Sequence, residues 1–546
     1  MSQTDPIAQF PAGPARGRHE NGLQVYRGLP YALPPTGARR WRPPAPLPDR
    51  SELRDAGRFG PACPQPQRRA GSVYECDIPL KDEDCLNLNI WAPEDAKDLP
   101  VLVWIHGGNL LRGAGSEALT DGAALARRGQ VVVTINYRLN ILGYLAHPEL
   151  SAEDPQGLSG NYGLLDQIAA LQWVQRNIAA VGGDPANVTV AGESAGALSV
   201  YYLMCAPAAR GLFARAIAQS GHICSAQHLS REANGMGTGH DTGLQTAAGL
   251  GAKSIADLRA WDAQELALAA DRIGFAAQGV VDGVILPDQP LHLFNSGKTA
   301  PVPLLTGFNS GEILTLEFLM PPLPESGEDY TAMIKARYGD LAGDFLARYP
   351  ASDIKDSTER AVGEALFGWT VLSAAKAQAR AQLPVFVYYF DHGYPQAQAR
   401  GLHGFHACEL AYLFDTMEQS PPAWPKAPRS GAEAALTRTI GEYWTSFAKD
   451  GQPRSDGAPL WPDYGTGRRG AADQPADAAA QQGADRPAAA GAVLHFADQP
   501  ALRYDLFGGM YDLIEADFAR KRAAGNLPWN WSVGVASPLR GPDETR

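Results

Sequence analysis

Ser194 stands between two glycines at the junction of two contrasting runs of sequence. The β-branched run 187–191 leads into Gly-Glu-Ser-Ala-Gly at 192–196, and the helix-prone run 197–204 follows. A strand, a sharp turn and a helix in this order expose a serine hydroxyl for nucleophilic attack. Glycines suit such a turn because Cβ atoms beside the serine would crowd it. The alternative is an ordinary turn serine that caps a helix.

A glycine-rich loop upstream can supply the second component of this chemistry. The apolar run 100–105 predicts a buried strand, and it leads directly into His-Gly-Gly-Asn-Leu at 106–110. Backbone N–H groups exposed by such a loop can stabilise the oxyanion that forms when a serine attacks a carbonyl group. An ordinary glycine turn is the alternative.

An acid and a base are expected further along the chain, in the order serine, acid, histidine. The strand-like run 302–307 is followed by Glu312, which is therefore the candidate acid. Asp391 is a rival acid, but it closes a later strand-like run and would leave the loop that carries Glu312 without a role.

Two histidines follow the strand-like run 385–390, and either can be the base. His403 and His406 are three residues apart, and Glu409 follows at the same spacing. This pattern can place three metal ligands on one helix face, but two nearby glycines predict a loop instead. The chain has no H-E-x-x-H motif and no second ligand cluster nearby. We therefore expect no metal and no organic cofactor.

Six segments in chain order resemble signatures of the type-B carboxylesterases, the cholinesterase-like lineage. They are Tyr-Arg-Gly-Leu-Pro-Tyr-Ala at 26–32, Glu-Asp-Cys-Leu-Asn-Leu-Asn at 83–89, Ile-Asn-Tyr-Arg-Leu at 135–139, Asn-Tyr-Gly-Leu-Leu-Asp-Gln at 161–167, Gly-Gly-Asp-Pro at 182–185 and Gly-Glu-Ser-Ala-Gly at 192–196. The resemblance implies the α/β-hydrolase fold, an α/β architecture with a large, mostly parallel, twisted central sheet flanked by helices, with insertions.

The same resemblance assigns catalytic roles. Ser194 becomes the nucleophile, and Glu312, five residues after a glycine that ends a strand, becomes the acid. His406 is selected over His403 because Glu409 and a hydrophobic-aromatic run follow it at the family's spacing. The implied reaction is hydrolysis of carboxylic esters through an acyl-serine intermediate, in which the histidine takes the serine proton and the glutamate orients the imidazole.

The oxyanion donors implied by the resemblance are the backbone N–H groups of Gly108, Asn109 and Ala195. Asn109 replaces a third glycine or an alanine, and Leu110 stands where an aromatic residue is usual. Asparagine keeps the N–H donor but restricts the loop and adds a polar side chain near the acyl group.

Two other functions remain open. The same triad can cleave a carbamate or an amide, and a cholinesterase-like chain can be a binding module without catalysis. Such modules usually lack the serine, whereas this chain keeps serine, acid and histidine.

No tryptophan lies between Cys76 and Cys85, so the aromatic platform that binds choline in cholinesterases is missing. We expect a small-molecule substrate, an uncharged ester with a short to medium acyl or an aryl group.

Composition excludes several classes of partner. The net charge is −12 and no cluster of basic residues occurs, so nucleic acid is not an expected partner. No apolar stretch is long enough to span a bilayer.

Residues 1–546 are predicted to form one domain, with a mobile Ala/Gly-rich insertion at about 465–491. A short alanine-driven helix is the alternative for the insertion, and the oligomeric state stays open between monomer and dimer.

The cysteines bear on the compartment. Cys63 and Cys85 occupy positions that resemble those of the family's N-terminal disulfide. The first residues carry neither a basic nor an apolar signal region. The protein is therefore expected either in the cytoplasm with reduced thiols or outside it after removal of a leader. Cys205, Cys224 and Cys408 are interpreted as small buried hydrophobic residues.

Overall fold

The computed structural model describes residues 5–223, 225–233, 236–465, 491–523 and 535. The insertion predicted at about 465–491 lies almost entirely outside these residues, as does Cys224. That the whole chain forms one domain stays a prediction.

The strands run in chain order as β1 (Ile7–Phe10), β2 (Gly13–Arg16), β3 (Arg18–Glu20), β4 (Leu23–Pro30), β5 (Arg54–Asp55), β6 (Asn87–Pro93), β7 (Leu99–Ile105), β8 (Val131–Ile135), β9 (Gly183–Glu193), β10 (Arg215–Gln219), β11 (Leu304–Asn309), β12 (Val385–Phe390), β13 (Ala492–Phe496) and β14 (Pro500–Tyr504). In the described chain, eleven of them form one sheet in the order β14-β13-β12-β11-β10-β9-β7-β8-β6-β4-β3, while β1, β2 and β5 form a small second sheet.

The central part of the large sheet is parallel. Six neighbouring pairs, from β8 through β7, β9, β10, β11 and β12 to β13, run parallel. Four antiparallel pairs extend the sheet at its two ends. Strands such as β8, Val-Val-Val-Thr-Ile, are buried along their whole length, as expected for a sheet covered on both faces. The predicted mostly parallel sheet is therefore confirmed, with antiparallel edges.

The α-helices are α1 (Ala123–Ala126), α2 (Asn140–Tyr144), α3 (Pro148–Glu153), α4 (Tyr162–Asn177), α5 (Ala195–Cys205), α6 (Gly239–Gly249), α7 (Ile255–Arg259), α8 (Ala263–Arg272), α9 (Pro290–Asn295), α10 (Gly327–Tyr338), α11 (Ala342–Arg348), α12 (Ile354–Gly363), α13 (Trp369–Arg380), α14 (Pro395–Ala399), α15 (Leu410–Leu413), α16 (Gly431–Asp450) and α17 (Met510–Ala523). A π-helical turn, Glu364–Gly368, joins α12 to α13. No helix among the described residues combines the length and apolar character needed to cross a membrane.

The sheet order brings separate parts of the sequence to one edge. The parallel strands β7, β9 and β11 carry the loop 106–110, Ser194 and Glu312 at their carboxyl ends. The register pairs Glu193 of β9 with Gln219 of β10. Because the carboxyl ends of parallel strands meet at the same edge, these loops can form one site.

Candidate active site

Ser194 occupies a strained turn between β9 and α5. Its φ is +57° and its ψ is −123°, a backbone conformation that few residues other than glycine adopt. The turn is held by a hydrogen bond of 2.9 Å from the Ser194 N–H to the carbonyl oxygen of Gln219. Ser194 is half-buried while both of its neighbours in the chain are buried, so its side chain stands at the surface of the site.

The glycines around Ser194 are required by close backbone approach. A Cβ atom on Gly196 would lie 2.1 Å from the carbonyl oxygen of Ile105, and one on Gly192 would lie 2.5 Å from the carbonyl carbon of Gly196. Both distances are far below van der Waals contact. The serine therefore sits where two glycines let β7, β9 and α5 converge.

Glu312 and His406 are in direct contact. The Nδ1 atom of His406 is hydrogen-bonded to Oε2 of Glu312, and both side chains are buried. The other carboxylate oxygen of Glu312 accepts a hydrogen bond of 2.8 Å from the backbone N–H of Asn309. The Nε2 atom of His406 lies 3.1 Å from Oε1 of Glu193, the residue before Ser194. This nitrogen is therefore next to the nucleophile elbow, the turn at 192–196 that carries Ser194.

The rival acid and base are not part of the pair that Glu312 forms with His406. Asp391 pairs with His495, at 3.2 Å between the carboxylate and Nε2. His403 is exposed, and its loop position between two glycines agrees with the predicted turn. Within the described part of the chain, no group of histidine, cysteine or carboxylate side chains is arranged to hold a metal ion.

Glu193 is a site residue that the sequence analysis missed. Burial raises the pKa of its carboxyl group to about 8, against the pull of the neighbouring imidazole. Burial by itself would lower the pKa of His406, but the negative charges of Glu193 and Glu312 outweigh it and raise that pKa to about 9. Glu193 lies inside the motif at 192–196, so its position was visible, but the direction of its side chain was not.

A buried polar network lies next to Glu312 and His406. The Asn309 side chain donates to one oxygen of Glu409 at 2.6 Å, and Gln219 donates to the other at 3.0 Å. The Trp444 indole in turn donates to Gln219 at 3.0 Å. Burial raises the pKa of Glu409 to about 7, although the hydrogen bond from Asn309 opposes the shift. Asn309 thus ties Glu409 to the loop that carries Glu312.

The glycine-rich loop after β7 has three consecutive residues in the left-handed region. The φ angles are +102° at Gly108, +59° at Asn109 and +55° at Leu110. A Cβ atom on Gly107 would lie 3.1 Å from Cβ of Ser194, so the loop passes directly beside the serine. Asn109 is exposed, and Ala195 is the buried first residue of α5.

The disulfide that the resemblance implies is not formed in this structure. Cys63 and Cys85 are both buried and both free. They lie close enough for a hydrogen bond between the thiols, and this bond together with burial raises the pKa of Cys85 well above its ordinary value. A thiol held protonated in this way is a poor nucleophile. Cys205 and Cys408 are buried as predicted.

Comparison with known proteins identifies the family. The model of the carboxylesterase family matches residues 4–482. The chain belongs to the type-B carboxylesterase family. This carboxylesterase is a carboxylic-ester hydrolase with the α/β-hydrolase fold, as the resemblance in the sequence predicted.

Curated relatives and solved structures cover most of the carboxylesterase. It is 37% identical over 467 residues to the fumonisin B1 esterase of Sphingopyxis macrogoltabida, with 82% of each chain covered. It is 36% identical over 473 residues to the para-nitrobenzyl esterase of Bacillus subtilis, covering 84% of this chain and 93% of that protein. A PNB esterase structure aligns with a TM-score of 0.78 and 31% identity, covering 94% of this chain and 99% of that one.

Two aromatic residues of the carboxylesterase contact the imidazole of His406. The ring of Phe367, on the π-helical turn, lies 5.4 Å from it between centroids, and the ring of Tyr74 lies 6.4 Å from it, edge to face. The Tyr74 hydroxyl also donates a hydrogen bond of 3.1 Å to the backbone carbonyl of His406. No sequence motif marked either residue, because both come from segments without recognisable chemistry.

Proposed function

We propose that Ser194, His406 and Glu312 form the catalytic triad of this carboxylesterase. His406 accepts the hydroxyl proton of Ser194 as the oxygen attacks the ester carbonyl, and then returns that proton to the departing alcohol. Water later attacks the acyl-serine by the same route. Glu312 holds the imidazole in the tautomer that leaves Nε2 free. The observation that carries the proposal is the buried contact of His406 with Glu312, with Nε2 beside the elbow.

The oxyanion is stabilised by the backbone N–H groups of Gly108, Asn109 and Ala195. Support comes from the loop beside Cβ of Ser194 and from the start of α5 directly after the serine. Fixed donors of this kind are each worth about 3 kcal/mol of barrier height. The Asn109 side chain is exposed and is not needed for this role.

The substrate is an uncharged ester with a short to medium acyl or an aryl group. Three buried carboxyl groups, those of Glu193, Glu312 and Glu409, surround His406. An anionic acyl group would add a charge to this buried cluster, and burying a charge costs free energy unless that charge is paired and hydrogen-bonded.

Covalent labelling tests the nucleophile. A fluorophosphonate probe is expected to add one mass to the peptide that contains Ser194, and Ser194→Ala is expected to abolish both labelling and hydrolysis of p-nitrophenyl butyrate. A screen of p-nitrophenyl esters graded by acyl length, with one choline ester and one anionic ester included, then tests the substrate class. Labelling of another serine, or preference for the anionic ester, would contradict the proposal.

The two histidines of one loop provide a matched pair for the base. His406→Ala is expected to lower kcat by at least about a thousandfold. His403→Ala is expected to change kcat by less than about tenfold, because its side chain is exposed whereas that of His406 is buried against Glu312. Circular dichroism of both variants establishes that the fold is intact. A severe loss in His403→Ala alone would overturn the assignment.

A further inference from the structure

His222 lies beside the nucleophile elbow, three residues after β10 ends. The same segment is tied to the elbow, since the carbonyl oxygen of Gln219 accepts the hydrogen bond from the Ser194 N–H. A Cβ atom on Gly221 would lie 2.7 Å from the Tyr201 ring and 2.9 Å from Cβ of Ala197, both on α5. The backbone before His222 is therefore packed tightly against the helix that follows the serine.

His222 and the catalytic base share one aromatic neighbour. The imidazole of His222 meets the ring of Phe367 edge to face at 6.3 Å between centroids, and Phe367 is 5.4 Å from His406. The backbone N–H of Ile223 donates to the Thr370 hydroxyl at 3.4 Å, which ties the segment to α13. Phe367 itself is on a π-helical turn, a rare feature that occurs often at functional sites.

One ring nitrogen of His222 is unbonded among the residues that the structure describes. Its Nδ1 atom is buried and has no hydrogen-bond partner among the residues that the structure describes, while the side chain as a whole is half-buried. Most buried polar atoms in proteins are hydrogen-bonded, and an exception calls for an explanation. Burial, reinforced by the charge on His406, lowers the pKa of His222 to about 4, so the ring is neutral near pH 7, with one donor and one acceptor nitrogen.

The backbone at this point is also strained. Ser220, two residues before His222, has a φ of +48° although it is not a glycine. Left-handed backbone at a non-glycine residue costs free energy and persists where the surrounding structure or the function demands it. Three features therefore occur together near Ser194 and His406. They are the strained backbone of Ser220, the ring of Phe367 and the unbonded Nδ1 atom of His222.

We propose that His222 determines specificity by hydrogen-bonding an uncharged oxygen group of the ester substrate, a hydroxyl or a carbonyl apart from the scissile one. The proposal rests on ester hydrolysis at Ser194. It names a neutral group because the neutral ring of His222 offers one donor and one acceptor nitrogen but no charge to pair with an anion. A purely structural histidine would instead hydrogen-bond to the protein.

Two substrate pairs test this role. The first compares p-nitrophenyl levulinate with p-nitrophenyl pentanoate, which differ by a ketone in the acyl chain. The second compares hydroxypropyl butyrate with butyl butyrate, which differ by a hydroxyl on the alcohol side. The ratio of kcat/KM within each pair is measured for the wild type and for His222→Phe, so the intrinsic reactivity of each ester cancels.

The His222→Phe variant is expected to lower the polar-to-apolar ratio at least about fivefold in one of the two pairs, the effect of one hydrogen bond. Hydrolysis of the apolar esters stays within about threefold, and the melting temperature is unchanged or higher, since a carbon replaces an unpaired buried nitrogen. His222→Asn, which keeps a donor and an acceptor, is expected to retain part of the preference.

A matched control replaces an exposed histidine. The side chain of His292 on α9 is 64% exposed, and His292→Phe is expected to leave both ratios unchanged. Unchanged ratios in His222→Phe, or equal losses on all four esters with a lower melting temperature, would overturn the proposal. If the wild type fails to hydrolyse butyl butyrate in a Ser194-dependent manner, the failure belongs to the proposed function and not to His222.

Discussion

Glu193 and His406 face each other in a buried corner beside Ser194. The carboxylate of Glu193 lies 3.1 Å from Nε2 and stabilises the imidazolium form of His406. A base must be neutral to accept a proton, so kcat/KM rises as the pH increases through the pKa of His406. Any group that raises this pKa moves the rising limb towards alkaline pH.

Glu193→Gln is therefore expected to move the rising limb of the kcat/KM profile to lower pH. The charge of Glu193 raises the pKa of His406. Without that charge the pKa of His406 is expected to be lower, by about one unit or more for a charge at this distance. The measurement is kcat/KM for p-nitrophenyl butyrate across the pH range in which the enzyme is stable.

Glu409→Gln is the matched control for that shift. Its charge contributes less than those of Glu193 and Glu312 to the pKa of His406, so a smaller displacement of the limb is expected. An unchanged limb in Glu193→Gln would show that Glu193 does not set the protonation of the base.

At the level of elements, the segment between β5 and β6 closes one side of the site. Its Tyr74 hydroxyl lies 2.5 Å from the Thr315 hydroxyl and also donates to the carbonyl oxygen of His406. The Arg68 side chain holds this segment, because it donates to the carbonyl oxygen of Tyr74 at 2.8 Å and pairs with Glu117 at 2.9 Å. The Tyr74 hydroxyl thus connects the segment that carries Glu312 to the loop that carries His406.

Tyr74→Phe is expected to lower kcat about tenfold while KM changes less than about twofold. Loss of the hydroxyl leaves the base loop free to shift, and small displacements of a catalytic group cost far more in turnover than in binding. Steady-state kinetics on p-nitrophenyl butyrate measure the effect. Tyr330→Phe is the control, because that buried phenol also donates to a backbone carbonyl, that of Tyr349, outside the site.

If kcat falls in both variants, the loss is a general consequence of removing a buried hydroxyl and not of the contact between Tyr74 and His406. An unchanged kcat in Tyr74→Phe would show that His406 keeps its position without this bond.

On the scale of the whole molecule, the site depends on the large sheet. The glycine-rich loop, Ser194 and Glu312 follow three different parallel strands, β7, β9 and β11, of one sheet. None of these loops can hold its catalytic geometry once the strands separate. The site and the sheet are therefore expected to be lost together.

One cooperative transition is the expected unfolding behaviour, as the prediction of a single domain requires. Loss of Ser194-dependent activity, tryptophan fluorescence and helical circular dichroism are expected to coincide along a urea titration. Two resolved transitions, with activity following only one of them, would contradict the single-domain prediction and would place part of the chain outside the cooperative unit.

Local pattern was enough to predict the elements that carry the reaction. The strand-like runs that end at Ile105, Ala191 and Phe390 lie in β7, β9 and β12, because β-branched and aromatic runs favour buried strands. The strand before Glu312 was displaced by about two residues, since β11 continues to Asn309. Such boundaries depend on pairing partners that the sequence does not contain.

The sequence by itself determined the family, the fold class and the residues proposed for the triad, because glycine spacing and chain order record constraints that act along a short stretch of chain. Only the tertiary structure decided which side chains surround them. Three residues from segments that are up to hundreds of residues apart contact His406 or its neighbours. They are Tyr74, Glu193 and His222. The buried, unbonded thiols of Cys63 and Cys85 were equally hidden from the sequence. Burial and distance set pKa values and bonding, and both arise only when the strand order of the sheet brings remote loops together.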